Sequence, residues 1–378
     1  MGIPLFKVGM SGLAPRRAAE VLMSGYIGQG PKVEEFEREF EKLNGFPEGS
    51  FVSTNSCTSA IELVLRYLNI GPQSRVAVTP MTCIATAAPV LNQRAEILWA
   101  GVTHKGLIRV EDVKQHMKSD AGVDAIIGVD WTGRLPDYTR LKMLGVPVIQ
   151  DAAHDPYLAE YALEELGDYV CFSFGPIKHL TTIDGGGVFI NNPDRHVRDT
   201  VVRALKLLRW YGLDRTSSKD FRCEQDIEEP GMKWHMNDVS AAVGLSNMRN
   251  LKDIIQIHRR NAEMLEKGID NPWITKHGFD PRSNYWVYPL IVEHYRDRFV
   301  KYMNANGVGC SRVHRRGDTH PGYSGSTTGL KMIKWFDDNQ CNLPNGWWMQ
   351  VEDVERVISI VNDFDPLEME PEGGMATP

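Results

Sequence analysis

Two stretches of the sequence decide its fold: VIQDAAH at residues 148–154, and CFSFGPIKHLTT at residues 171–182, which runs on into DGGG at residues 184–187. In the first stretch Asp151 ends an apolar run typical of a buried strand, and in the second Lys178 closely follows another such run. A doubly wound sheet exposes its ligand crevice at the carboxyl ends of its strands. Both side chains are therefore candidates for one site at that edge.

Outward from these stretches, short apolar runs alternate with segments of helical periodicity. The strand-like runs lie at residues 50–53, 75–78, 95–99, 125–129, 146–149 and 169–172, and helical patterns lie at 33–44, 58–65 and 83–91. Such alternation is typical of a mostly parallel sheet covered by helices on both faces. The predicted fold class is α/β.

The second part of the chain has a different character. Residues 238–267 read as one long amphipathic helix, and we predict a domain boundary near its middle. A strand at 286–292 and helices near 295–306 and 351–364 then indicate a smaller α+β domain. The predicted division is a large α/β domain at 1–250, a small C-terminal domain at 251–364 and an acidic, Pro/Gly-rich, disordered tail at 365–378.

Composition excludes several classes of protein. The 378 residues include 42 Lys and Arg against 49 Asp and Glu, a formal net charge of −7 that argues against a nonspecific nucleic-acid binder. No stretch approaches the ~18 consecutive apolar residues of a membrane helix. Six cysteines without a CxxC pair indicate neither a zinc site nor a disulfide framework, so we expect a reduced, cytoplasmic location.

An acid and a lysine at neighbouring strand ends are the pair that pyridoxal phosphate requires. The lysine amine forms a Schiff base with the cofactor, and the carboxylate keeps the pyridine nitrogen protonated so that the ring accepts electrons. NSCTSA at residues 55–60 adds hydroxyls and free amides at a helix N-terminus, which favour a phosphate. Alone, each feature has an ordinary explanation as a helix cap, a surface lysine or a capped helix; together they favour the cofactor.

These segments resemble the nucleotide-sugar aminotransferases of the DegT/StrS type, which are pyridoxal-phosphate enzymes of fold type I, like aspartate aminotransferase. The similarity extends from about residue 25 to residue 363. It also includes TPMT at 79–82 and NLP at 342–344, but the DAAH and SFGPIKHLTT segments are its most specific parts.

The resemblance implies a role for each matching residue. Lys178 is expected to be the Schiff-base lysine and proton shuttle, Asp151 the partner of the pyridinium nitrogen, and His154 a contact of the cofactor's phenolic oxygen. The alternative for His154 is a core histidine bonded to a backbone carbonyl. The expected phosphate ligands are Thr58, Ser59 and Ser173.

The chain also departs from the family pattern. Cys83 stands where an aromatic ring usually stacks on the cofactor. In GMKWHM at 231–236, Lys233 replaces the asparagine that usually reaches the phosphate in the partner subunit, and His235 replaces an arginine. Lys233 is expected to bind that phosphate as a point charge, or else to be a solvated loop cation.

The substrate end is predicted from RVHRR at 312–316, which corresponds to a segment facing the nucleotide sugar in the family. His314, Arg315 and His235 are the expected substrate contacts, since cations suit a diphosphate bridge. A basic surface loop is the alternative reading of the same residues.

The function implied by the resemblance is transamination of a keto group, at C3 or C4, of a nucleotide-linked deoxysugar, with L-glutamate as the amino donor and a homodimer whose sites lie at the subunit interface. Lys178 argues against the sugar dehydratases of the same family, which carry histidine at that position. Two alternatives stay open: an aminotransferase for a free cyclitol or unlinked sugar, and a cofactor-binding regulatory protein without turnover.

Overall fold

A computed structural model describes residues 2–217 and 223–368. The helices are α1 (Ala14–Ser24), α2 (Pro31–Asn44), α3 (Cys57–Tyr67), α4 (Ile84–Asn92), α5 (Val110–Met117), α6 (Tyr138–Lys142), α7 (Arg195–Leu208), α8 (Asp238–Met248), α9 (Leu251–Gly268), α10 (Arg296–Ala305), α11 (Leu330–Asn339) and α12 (Val351–Asn362). The strands are β1 (Phe51–Thr54), β2 (Arg75–Val78), β3 (Glu96–Trp99), β4 (Ala125–Val129), β5 (Val148–Asp151), β6 (Tyr169–Ser173), β7 (Gly186–Ile190), β8 (Thr275–Lys276), β9 (Tyr288–Ile291), β10 (Ser326–Thr327) and β11 (Gln340–Leu343). Most of the predicted tail, from residue 369 on, lies outside the described residues.

The large sheet confirms the predicted fold class. Its strand order is β1-β7-β6-β5-β4-β2-β3-β10, and β7 runs antiparallel to both of its neighbours while the other pairs are parallel. In the register of the central strands, Asp151 lies opposite Val129 on one side and Cys171 on the other. The carboxyl ends of β4, β5 and β6 therefore meet at one edge, as the sequence predicts.

Side chains on this sheet alternate between two apolar layers, as the pleat requires. Along β6, Cys171 packs into a core shared with α3 and α7, whereas Val170 and Phe172 pack into a core shared with α2. The α2 side of that second core supplies Phe36 and Phe40, which are fully buried. The sheet is thus covered on both faces.

The prediction of one long helix over residues 238–267 was wrong. α8 ends at Met248 and α9 begins at Leu251, with Arg249 and Asn250 exposed between them. α8 packs between α1 and α2, whereas α9 packs against α12. The two helices thus bury their apolar residues against different neighbours, and apolar spacing along the sequence does not record where one set of neighbours ends and the other begins.

A second sheet, with strand order β11-β9-β8, lies within the predicted small domain, and its core includes Leu290, Phe299 and Val354. Two segments connect across the predicted division at residue 250. Ile3 pairs with Val308 and is buried in the second core, and β10 pairs with β3 at the edge of the large sheet. The domain boundaries themselves stay a prediction.

Across the described ranges, no helix is both long and apolar enough to span a bilayer.

Candidate active site

Asp151 is fixed at the carboxyl end of β5 by donors from three parts of the chain. The Thr86 hydroxyl of α4 donates to Oδ2 at 2.6 Å, and the backbone N–H of Ala153 donates to Oδ1 at 3.0 Å. The Cys57 thiol of α3 lies 3.7 Å from Oδ1. Burial raises the pKa of Asp151, although these donors and the charge of Lys178 oppose the rise. The carboxylate is therefore held in one orientation within a poorly solvated site.

Lys178 lies on the turn that follows β6, where its backbone N–H donates to Gly175 O at 3.2 Å. Its Nζ lies over the indole of Trp286, 4.0 Å from the ring centroid. Burial lowers the pKa of Lys178 to about 8, against the opposing effects of Asp151, Cys57 and Cys83. Part of the lysine population is therefore neutral near pH 7, as a nucleophilic amine requires.

His154 lies beside this pair and is 3% exposed. Its ring stacks on Trp286, with centroids 4.0 Å apart and planes 13° apart. Burial, followed by the charge of Lys178, holds the pKa of His154 well below its usual value, so the imidazole is neutral. A hydrogen bond to the Asp130 backbone engages one ring nitrogen, as in the core-histidine interpretation, but within the described residues the buried Nδ1 has no hydrogen-bond partner. That nitrogen is free to contact a ligand.

The predicted phosphate ligands come together around the start of α3. Ser56 caps the helix, since its Oγ accepts from Ser59 N at 3.1 Å and lies 2.9 Å from Ser59 Oγ. Thr58 is half-buried in the same turn, and Ser173 lies at the end of β6, in register with Gly186 of β7. A Cβ at Gly186 would lie 2.3 Å from the Ser56 carbonyl carbon, so only glycine lets the strand approach this turn.

The 231–236 loop is attached to the same turn through its backbone. Asn55 N donates to Trp234 O at 2.7 Å, and the Asn55 amide donates to Lys233 O at 3.4 Å. The Lys233 side chain is exposed. His235 packs edge-on against Trp210, with centroids 4.0 Å apart, and burial lowers its pKa to about 4.

His314 and Arg315 are the other two predicted substrate residues. His314 lies near Lys178, whereas Arg315 does not. The His314 ring lies parallel to that of His154 at 6.2 Å, and burial, aided by the charge of Lys178, lowers its pKa to about 4. Arg315 is exposed and donates to Thr319 Oγ1 and to Thr319 O, both at 2.8 Å. Its guanidinium is thus engaged within its own loop.

Cys83, at the position of the missing aromatic, is half-buried and directly precedes α4. The residues that sequence reasoning missed are aromatic and come from elsewhere: Trp286 from the segment before β9, and Trp131, which contacts His154 and His314 edge-on. In the sequence Trp286 belongs to an apolar strand pattern, and no spacing links it to Lys178.

This set of groups fits pyridoxal phosphate. The site combines an amine with a lowered pKa, a buried carboxylate, an imidazole with an unengaged nitrogen, and hydroxyls beside a helix N-terminus that Gly186 packs against. These are the chemical partners of an aldehyde, a pyridine nitrogen, a phenolic oxygen and a phosphate, in that order.

Known proteins resemble this chain in sequence and in fold. A solved structure of AtS13 from Actinomadura melliaura is 33% identical with a TM-score of 0.85, covering 96% of this chain and 98% of that one. The sugar aminotransferase CalS13 from Micromonospora echinospora is 28% identical with a TM-score of 0.84, covering 95% and 99%. The UDP-4-amino-4-deoxy-L-arabinose–oxoglutarate aminotransferase of Shewanella sediminis is 26% identical, covering 92% of this chain and 94% of its own.

A family model for the DegT/DnrJ/EryC1/StrS aminotransferases matches residues 14–362, nearly the whole chain. The resemblance drawn from the DAAH and SFGPIKHLTT segments is thereby confirmed. The chain belongs to the DegT/DnrJ/EryC1/StrS aminotransferase family.

Proposed function

We propose that the protein is a pyridoxal-phosphate-dependent aminotransferase that converts a keto group at C3 or C4 of a nucleotide-linked deoxysugar to an amine, with L-glutamate as donor. The observation that carries this proposal is Lys178, whose amine lies in a buried site with a pKa near 8 and within electrostatic reach of Asp151. The names of two similar proteins support the substrate class, because CalS13 is a sugar aminotransferase and the Shewanella enzyme is named for a UDP-linked amino sugar and oxoglutarate.

Each of the site residues would bind a different group of the cofactor. Lys178 would bond to its aldehyde carbon, Asp151 would accept a hydrogen bond from the protonated pyridine nitrogen, and His154 would contact the phenolic oxygen through the unengaged Nδ1. The phosphate would lie against Thr58, Ser59 and Ser173. When bound, pyridoxal phosphate supplies an electron sink for the bond broken next to the amino nitrogen.

Lys178 would also move the proton. As a free, neutral amine, its Nζ would accept a proton from the donor's α-carbon, and as an ammonium it would donate a proton to the sugar carbon. A pKa of about 8 suits both directions, since the amine and the ammonium are both populated near neutral pH.

The sugar would enter from the side of His314, which lies near the lysine. His235 and Arg315 stay proposed contacts of the nucleotide part, and Arg315 would have to leave Thr319 to reach a diphosphate. We also propose a homodimer in the cytoplasm, with Lys233 reaching the phosphate in the partner subunit. The exposed Lys233 side chain supports that geometry, whereas the attachment of its backbone beside Asn55 of the same chain makes action in cis the alternative to be tested.

The test separates the half-reactions. Purified protein loaded with pyridoxal phosphate should be yellow, bleach on addition of glutamate, and recover with a UDP-, dTDP- or GDP-linked keto-sugar. In Lys178→Ala both the borohydride-reducible link to protein and turnover should be lost, because no other amine serves that position. A link that persists in this variant would overturn the assignment of Lys178.

The same assay decides between the remaining alternatives. Recovery of colour with a free keto-cyclitol or unlinked keto-sugar, but with no nucleotide-linked one, would replace the proposed substrate. Colour that never bleaches with any amino donor would indicate a cofactor-binding regulatory protein, an alternative motivated by Cys83, Lys233 and His235.

A further inference from the structure

Trp286 connects the second sheet to the edge of the large one. It lies two residues before β9 and is 3% exposed. Its backbone N–H donates to Thr132 O at 3.1 Å, and its indole Nε1 donates to Ile177 O at 2.9 Å. The residue is thus anchored to the large sheet's loops through both its backbone and its indole, although its own segment leads on into β9 of the second sheet.

Both sequence neighbours of Lys178 hold this segment. Ile177 accepts the indole hydrogen bond, and His179 Nε2 is hydrogen-bonded to Asn284 O at 2.9 Å. Two hydrogen bonds therefore flank Lys178 and fix the segment 284–286 relative to it. The result is the 4.0 Å approach of the Lys178 Nζ to the centre of the indole.

The indole itself is fixed by packing. His154 stacks on it at 4.0 Å, and Phe6 stacks on it at 4.7 Å with planes 25° apart. A ring held by two aromatic contacts and a hydrogen bond cannot follow a mobile amine, so its position determines where the amine rests. An ammonium within ~6 Å of an indole face is attracted to it, most strongly where water is excluded.

We propose that Trp286 is a positioning residue for Lys178: its indole holds the amine where the cofactor aldehyde binds. The inference rests on the proposed function for the identity of the cofactor, whereas the contact between Trp286 and Lys178 involves this chain alone.

The other groups around Lys178 also affect whether its amine is charged, and the effect of the indole adds to theirs. Asp151, Cys57 and Cys83 favour the charged amine, and burial opposes them. His154, His179 and His314 all have lowered pKa values and are neutral near pH 7. The indole adds an attraction to the ammonium, so replacing it by an aliphatic side chain of similar burial should lower the pH at which Lys178 loses its proton.

The test is competitive labelling of the cofactor-free protein with acetic anhydride across a pH series, with the Lys178 peptide quantified by mass spectrometry. We expect the labelling midpoint to fall by about one pH unit in Trp286→Leu. Trp286→Phe keeps a weaker aromatic face and should shift the midpoint in the same direction by roughly half as much. Trp273→Leu and Trp273→Phe are the matched controls, because Trp273 is half-buried beside Tyr295 in the second core.

An unchanged Lys178 midpoint in a folded Trp286→Leu, or an equal shift in the Trp273 controls, would overturn the proposal. If Trp286→Leu does not fold, the Trp286→Phe shift decides alone. The measurement uses neither cofactor nor sugar, so its outcome is independent of whether sugar transamination is found.

Discussion

The Asp151 carboxylate cannot turn away from its site, because Thr86 and Ala153 each bind one of its oxygens. Asp151→Asn keeps the size of the side chain but removes the charge that holds a pyridine nitrogen protonated. We expect the glutamate half-reaction to slow by about 2–3 kcal/mol, a factor of about 30–150, while the cofactor dissociation constant changes far less. Stopped-flow absorbance and cofactor titration measure the two quantities.

Asp168→Asn is the control for this change. Asp168 is a half-buried carboxylate directly before β6, and it accepts a hydrogen bond from Val148 N at the opposite end of β5 from Asp151. The Asp168→Asn substitution should lower the stability of the protein without slowing the glutamate half-reaction. An Asp151→Asn variant of unchanged rate would show that ring protonation is set elsewhere.

The lowered pKa of Lys178 predicts a pH dependence. With a pKa of about 8, roughly one amine in ten is neutral at pH 7, against about one in three thousand for an ordinary lysine at 10.5. Since the neutral amine attacks the aldehyde, the rate of cofactor attachment should rise with pH and level off above about pH 8. With free Nα-acetyl-lysine, measured in parallel, the rate should keep rising above about pH 8. If the rate for the protein rises in the same way, the assignment of a lowered pKa to Lys178 is contradicted.

The turn between β1 and α3 depends on its contact with β7. In Gly186→Ala the new methyl group would meet the backbone of Ser56 and Cys57 at 2.3–2.4 Å, and neither side is a flexible side chain. We expect a loss of about 1–3 kcal/mol in the free energy of unfolding and weaker retention of pyridoxal phosphate. Denaturant titration and cofactor release report the two effects.

Gly71→Ala is the matched substitution, because a Cβ at Gly71 meets no described atom within 4 Å. It should leave both properties unchanged. Cofactor retention equal to wild type in a folded Gly186→Ala would mean that the turn does not hold the phosphate.

The proposed role of Lys233 depends on the proposed assembly of two chains. If its ammonium reaches the phosphate in the partner subunit, Lys233→Ala should weaken cofactor binding by about 1 kcal/mol, roughly fivefold, and added salt should reduce the difference from wild type. The chemical step should be little affected.

Mixed dimers of Lys233→Ala with Lys178→Ala chains separate the two geometries. Acting in trans, the intact Lys233 of one chain completes the site that contains the other chain's Lys178, so one site of wild-type affinity per dimer is expected. If Lys233 acts in cis, each site of the mixed dimer lacks either Lys178 or Lys233, so no site of wild-type affinity is expected. Sedimentation of an active monomer would refute the dimer itself.

The sequence by itself determined the central strands and the relation of Asp151 to Lys178. β2 and β4 have the predicted bounds, because buried parallel strands are continuous apolar runs that local composition reveals. Asp151 and Lys178 follow neighbouring strands, so strand-end placement was enough to bring them to one edge. β7 was not predicted, because glycines at its start weaken the strand pattern, and only the contacts of Gly186 and Gly187 with Ser56 and Phe51 show why they are there.

Only the tertiary structure decided which distant side chains complete the site. It placed His314 beside His154. Arg315, the next residue in the sequence, instead donates a hydrogen bond to Thr319. It also placed Trp286 over Lys178, a contact between residues more than a hundred positions apart. Such contacts depend on how the second sheet packs against the first, which is a property of the whole chain and leaves no periodicity or spacing in the sequence.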